Sequence, residues 1–325
     1  MHVQSLRKIF YCLGIFLFHP LFACDFCTLY TGVLPQDRLN RFEYYQRYSY
    51  FKQNNILSLP GTAPVAQGKL AHIAPGSGEN NLLSQPVKEQ YVFHDFRYTF
   101  FAGPAWQISA GVPVQKFREI QGESTRVRSG LGETTVWALY GLVRRDTTRT
   151  ALRWFAGGGF KLPTGWHYRT SRQYEEHFFE QGGTGTPGML GISSLNFRRR
   201  NWGISQLTTW RYSLPNANTY RAGSVLNLSL HTFVIVNVKY PDVRWVPAWA
   251  VYIEQAGGNR KEGYQLINTG GMSLLSGPDF TFFMNRWAIR TGCLFPLYEK
   301  FNGEQPKNSF RFQMGLMFTF GKNAC

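Results

Sequence analysis

Cys24 and Cys27 form a Cys-x-x-Cys pair near the start of the chain, and it is the tightest grouping of reactive side chains in the sequence. Two thiols at this spacing can close a disulfide in an oxidising compartment or hold a soft metal ion as thiolates. Cys24 alone can carry a lipid, since Leu21-Phe22-Ala23-Cys24 approximates a lipoprotein signal. Haem attachment is disfavoured, because Thr28 rather than His follows Cys27. The remaining cysteines stand alone, Cys293 inside an alternating stretch and Cys325 at the last position.

Five histidines follow the first 23 residues: His72, His94, His167, His177 and His231. None lies at metal-ligand spacing from another, so they read as polar loop or interfacial residues. Glu175-Glu176-His177 is the one local cluster with cation-binding chemistry. A hydrolase needs a base within hydrogen-bond reach of its nucleophile, and no compact His-x-Ser arrangement occurs in any candidate strand. The expectation is therefore a protein without catalytic function and without a cofactor.

The elements that position these residues are set by two patterns. Arg7 and Lys8 precede the apolar run Ile9 to Phe18, followed by Leu21-Phe22-Ala23. That order is the layout of a secretory signal with cleavage after Ala23, and the run is shorter than the roughly 20 residues of a spanning helix. Residues 310–320 then read Phe-Arg-Phe-Gln-Met-Gly-Leu-Met-Phe-Thr-Phe, apolar at every second position. A terminal alternating aromatic strand on a secreted chain is how an outer-membrane barrel closes.

Alternation recurs in about twelve segments, near 41–51, 90–101, 105–117, 133–144, 150–162, 189–199, 201–213, 219–233, 243–254, 263–275, 283–296 and 308–320. The sixth and tenth alternate least cleanly. The clearest places Trp106, Ile108, Ala110, Val112 and Val114 against Gln107, Ser109, Gly111 and Gln115. Connections alternate long and short, the long ones (52–89, 118–132, 163–188, 214–218, 255–262 and 297–307) being read as outer loops and the others as periplasmic turns. The expected fold is all-β, a transmembrane antiparallel up-and-down barrel of about 12 strands. Residues 1–23 form the signal, 24–39 a periplasmic segment, 40–320 the barrel and 321–325 a tail. Tyr98, Trp106, Tyr140, Trp154, Trp202, Trp210, Tyr212, Tyr220 and Trp245 are candidates for interfacial girdles.

The chain has a formal net charge of +16. In this setting the charge points to lipid phosphates rather than nucleic acid, with Arg198-Arg199-Arg200 at a membrane rim. Turning the apolar faces to lipid leaves Arg97, Arg153, Lys161, Arg211 and Arg311 facing inward, with Arg41, Arg47, Arg221, Arg244, Arg286 and Arg290. Glu43, Asp95, Glu133 and Glu254 oppose them. Such an interior favours anions if it is open, and fills the barrel if these groups pair.

Ser129-Gly130-Leu131-Gly132-Glu133, followed one strand later by Gly157-Gly158-Gly159-Phe160-Lys161-Leu162-Pro163-Thr164-Gly165, resembles an outer-membrane transporter-like barrel family named for the meta-pathway of phenol degradation. Cys24-Asp25-Phe26-Cys27, with Gly32-Val33-Leu34-Pro35-Gln36, is similar to the start of Bacteroidetes envelope barrels carrying Cys-Asp-x-Cys-Gly-Cys, with Thr28 and Leu29 here in place of Gly and Cys. The resemblance implies the barrel fold and, for the first family, passage of hydrophobic compounds.

The function expected is passive passage of small solutes through an outer-membrane barrel, monomeric, with Arg97, Arg153, Lys161, Arg211 and Arg311 touching the solute. The alternatives are a closed structural, adhesive or receptor barrel acting through its outer loops, and envelope metal handling through Cys24 and Cys27.

Overall fold

The computed structural model describes residues 39–53, 87–103, 105–121, 123–147, 149–165, 183–217, 219–237, 243–266, 269–303 and 305–320. The expected signal, the Cys24–Cys27 pair, Glu175-Glu176-His177 and most of the connections 52–89 and 163–188 lie outside these residues. All regular structure among the described residues is β: β1 Asn40–Gln53, β2 Val87–Ala102, β3 Trp106–Gln121, β4 Ser124–Leu131, β5 Thr135–Asp146, β6 Thr150–Lys161, β7 Gly188–Arg199, β8 Trp202–Ser213, β9 Tyr220–Arg221, β10 Val225–Val234, β11 Val236–Asn237, β12 Val243–Ala256, β13 Arg260–Lys261, β14 Tyr264–Gln265, β15 Gly271–Met284, β16 Trp287–Phe301 and β17 Lys307–Phe320.

Successive long strands of the main sheet pair antiparallel, β3 with β5, β8 with β10 and β12 with β15 among them, and β1 pairs with β17 from Asn40↔Phe320 to Lys52↔Lys307. The sheet therefore closes into a twelve-stranded antiparallel barrel. β4 and β5 form one stave, since both pair with β3. Between them residues 132–134 stand opposite 112–113, a bulge at which the Gly132 amide bonds the Pro113 carbonyl at 2.8 Å. A bulge bends its strand; here the bend falls where β4 leaves the closed wall, because β6 pairs with β5 and not with β4.

The structure shifts four sequence expectations. Residues 118–132, read as a loop, are largely the far half of β3 and β4, which pair down to Gln121↔Ser124. The eighth strand begins at Val225, because Thr219 takes a left-handed φ of 57° and sends Tyr220–Arg221 into a small separate sheet with β13 and β14. The tenth is Gly271–Met284 rather than 263–275, since the chain turns through Gly270 and Gly271 at φ 78° and 142° before rejoining the wall. The eleventh starts at Trp287, after a turn at Asn285 with φ 53°. The apolar run Phe280, Phe282, Phe283, Met284 fills both faces of β15 and so hides that turn from a period-two reading.

Candidate functional site

The outer surface is the first functional feature. Phe96, Phe100, Ile108, Val112, Val136, Met189, Leu195, Leu230, Phe312 and Leu316 are exposed, while Arg97, Thr99, Gln107, Ser109 and Arg311 on the alternate positions are buried. A soluble barrel has the opposite arrangement. Exposed apolar side chains around a closed ring of fully paired backbone satisfy the condition for a membrane-spanning barrel. Trp106, Trp202 and Trp287 begin strands at the short-turn end and Trp245 lies two residues into β12 there, all four exposed. Exposed Arg145, Arg149, Arg199, Arg200 and Arg286 lie in or beside the turns of that same end. Of the girdle candidates, Tyr220 is misplaced: it is 1% exposed, packed with Ala222 and Leu266 in the rim sheet.

Large side chains project into the interior. Trp137, Leu139, Phe155, Leu190, Ile192 and Leu207 form an apolar cluster on the wall made by β5 to β8. A second cluster of Phe233, Ile235, Val246, Phe283 and Ala288 sits toward the short turns. Neither was read from the sequence, which assigned apolar residues to lipid and polar residues to the lumen. The signal was present in Trp137, Leu139, Ile192 and Leu207, which are apolar at the inward parity.

Charged groups lie on the same wall and on the others. The five inward candidates all lie on the luminal parity, and four of them are held in ion pairs with acidic neighbours. Arg97 binds Asp95 and lies over the Trp137 ring at 5.0 Å. Arg153 Nε meets Asp146 at 3.0 Å, Arg311 Nη1 meets Glu254 at 2.9 Å, and Lys161 binds Glu133. Arg211 is half-buried at the cross-strand position of Val225, inside the barrel. Arg290 grips Asp279 with Nε at 2.9–3.0 Å and Nη2 at 2.6 Å, and Gln313 Nε2 donates to the same carboxylate at 2.9 Å. Tyr45 donates to Gln313 Oε1 at 2.6 Å, so the network crosses from β15 to β1. Twelve strands lie between the eight whose interior side chains fill and the sixteen that leave a channel; here large aromatic and guanidinium groups occupy the space.

The two glycine-rich motifs meet at the end of the barrel that carries the long connections. Lys161 also donates to Thr184 at 2.9 Å and Thr186 at 3.1 Å, and Glu133 accepts from the Thr184 amide at 2.8 Å and hydroxyl at 2.6 Å. Leu162 N bonds Thr134 O at 2.8 Å, and the Thr164 hydroxyl accepts from Thr134 N at 2.8 Å. The motifs thus tie down residues 162–165 and 183–186, both ends of one long connection. Gly157 and Gly159 lie against β5 so closely that a Cβ at either would overlap the Ala138 or Val136 carbonyl. That approach seats Trp137 in the lumen.

His231 is buried on β10 and lines a luminal cavity with Arg47, Arg290 and Arg311, rather than standing at an interface. His94 stacks on Tyr44 and shares a 2.7 Å hydrogen bond with its hydroxyl. Cys293 is half-buried, with no disulfide among the described residues, and no group of metal-ligating side chains occurs among them.

The chain matches no protein-family model and no curated protein. Among solved structures it is similar to the β domain of the Bordetella autotransporter BrkA, with TM-score 0.45 and 10% identity over 86% of this chain and 99% of that one. LpxR from Salmonella typhimurium gives TM-score 0.40 and 9% identity over 86% and 100%. The translocator domain of autotransporter NalP from Neisseria meningitidis gives 0.39 and 10% over 98% and 96%. The resemblance to the meta-pathway family therefore rests on residues 129–133 and 157–165 alone. One expectation is corrected: the exclusion of catalysis does not stand, because the lack of a compact His-x-Ser pattern says nothing about side chains that the fold brings together from separate strands.

Proposed function

We propose that this protein is a bacterial outer-membrane barrel, closed in its resting state, that works through the end carrying its long connections as a receptor or structural element. The packed interior carries this reading. Arg97, Lys161, Arg290 and Arg311 are each less than a tenth exposed and engaged with carboxylates, and Trp137 and Leu139 are fully buried between them and the opposite wall. A guanidinium that must release a buried carboxylate before meeting a solute is poorly suited to free diffusion. At the opposite end, the exposed arginines and tryptophans suit the phosphates and interface of a lipid leaflet. The barrel is proposed as a monomer, since its edges are closed on themselves.

A second reading, passage of small solutes with a preference for anions, is favoured by the inward arginines and by the motif resemblance at 129–133 and 157–165. Single-channel conductance of the refolded barrel in planar bilayers separates the two. A correctly inserted, electrically silent barrel is the expected result. Discrete openings with an anion-selective reversal potential in asymmetric salt overturn the closed reading in favour of the second.

A further inference from the structure

Lys52 stands directly opposite two other lysines, Lys88 on β2 and Lys307 on β17. Cross-strand partners share a face, and all three lysines are exposed on the outer wall. Arg118 and Lys116 continue the patch onto β3, opposite Gln90 and Val92. Like charges directly opposite one another destabilise a sheet, and the same strands supply no counter-charge. Their acidic residues, Glu43, Glu89, Asp95 and Glu119, all lie on the inward parity. None of the five cations forms an ion pair among the described residues, and the exposed Glu123 lies beyond them in the turn after β3.

The patch has a definite height on the wall. Tyr98, its cross-strand partner Phe42, and Trp106 are exposed toward the short-turn end. Lys88 lies ten residues before Tyr98, Lys52 ten after Phe42 and Lys116 ten after Trp106. Ten residues at roughly 3.3 Å each rise about 25 Å in strands tilted by about 40°, which is the height of the apolar band of an outer-membrane barrel. The cations therefore begin at the second interface, at the end carrying the long connections. Just below them, on the same outer face, Phe310 packs on Tyr48 and Tyr50 with ring centroids 5.3 and 6.0 Å apart.

We propose that this patch binds a multiply phosphorylated lipid headgroup in the leaflet that surrounds the long-connection end. Three adjacent strands set the lysine row about 10 Å wide, enough for more than one phosphate. An anion among Lys52, Lys88 and Lys307 replaces repulsion across two strand pairs with attraction, and lysine binds phosphate as a point charge without a fixed fork. The Tyr48 and Tyr50 hydroxyls can donate to headgroup oxygens while their rings lie against the first carbons of the chains. The occupant is a lipid because the cations rise directly from the apolar outer wall of Phe96, Val112 and Phe312. A headgroup reaches them while its chains stay in hydrocarbon. The site rests on the membrane-spanning reading and holds whether or not the lumen conducts.

The test uses the full refolded barrel in vesicles of phosphatidylcholine alone and of phosphatidylcholine with lipid A, a doubly phosphorylated glycolipid. The urea midpoint is expected to be higher with lipid A, by a margin that shrinks as salt rises. Lys52→Gln/Lys88→Gln/Lys307→Gln should lose that margin while matching or exceeding the unaltered midpoint in phosphatidylcholine, because the repulsion is gone. Lys52→Glu, which sets a carboxylate between two lysines, should behave likewise and decides the matter if the triple variant does not fold. Equal midpoints of the unaltered barrel in the two vesicles, or an undiminished lipid A margin in the variants, overturn the site. An equal rise from inorganic phosphate in detergent overturns a lipid as its occupant. Failure to insert into either vesicle removes the membrane-spanning reading and the site with it, whereas bilayer conductance bears only on the closed lumen.

Discussion

Lys161 and Glu133 lie 28 residues apart and form an ion pair with each side chain only 2% exposed. The pair joins the end of β6 to the bulge between β4 and β5, and through Thr184 it fixes the return of the long connection that follows. Both residues belong to the glycine-rich motifs, so the motifs describe one structural joint. Removing one partner leaves a buried charge uncompensated, whereas removing both need not be harmful.

Lys161→Met is expected to destabilise the barrel by about 3–5 kcal/mol. The double variant Lys161→Met/Glu133→Leu should recover much of that loss. Urea unfolding of the refolded protein in phospholipid vesicles measures both. Equal loss in the single and double variants would show that packing at this joint, and not charge, is what matters.

Gly159→Val is expected to prevent closure, because its Cβ would overlap the Val136 carbonyl and the backbone of Trp137. Gly191→Ala, where the added carbon meets only Trp210 at 3.5 Å, should fold normally. Heat-modifiable mobility on gels distinguishes closed from open barrels. Normal closure of the Gly159 variant would mean that β5 and β6 are further apart than described.

Val112 and Phe96 are cross-strand neighbours on the outer face, both about two-fifths exposed. On a water-exposed surface Val112→Arg should change stability by no more than about 0.5 kcal/mol. Facing lipid near mid-membrane it should cost about 2–4 kcal/mol. Unfolding in vesicles gives the number, and a near-zero effect would remove this face from the membrane.

Cys293 lies on the outward parity of β16, between inward Gly292 and Leu294. In vesicles, in a variant whose Cys24, Cys27 and Cys325 are replaced by Ser, it should resist a charged, membrane-impermeant maleimide and react once the barrel is unfolded in urea. Rapid labelling of the folded, inserted protein would put this part of β16 in water.

The wall was legible because lipid and lumen impose period two: Trp106, Ile108 and Val112 face out, while Gln107 and Ser109 are buried, as the alternation predicts. Inward direction of Arg97, Arg153, Lys161, Arg211, Arg290 and Arg311 followed from the same parity, whereas Arg286, expected inward too, is exposed in the turn before β16. Their partners did not, except Asp95, which shares a strand and a face with Arg97. Arg290 finds Asp279 only because a hairpin turns at Asn285, and Lys161 finds Glu133 only through the stagger of β6 against β5. The apolar interior was missed because Trp137, Leu139, Phe155, Leu190, Ile192 and Leu207 are interspersed with polar residues at the inward parity of β5 to β8, and alternation alone does not show that they meet in one cluster.

The pairing of β1 with β17 brings Asn40 opposite Phe320. Until the last strand has been made and delivered, the first exposes a row of amides that hydrocarbon cannot satisfy. No partial product can therefore rest in the bilayer as a stable intermediate stave by stave. Assembly becomes a concerted event for the whole wall, in which the first strand and the last must arrive together.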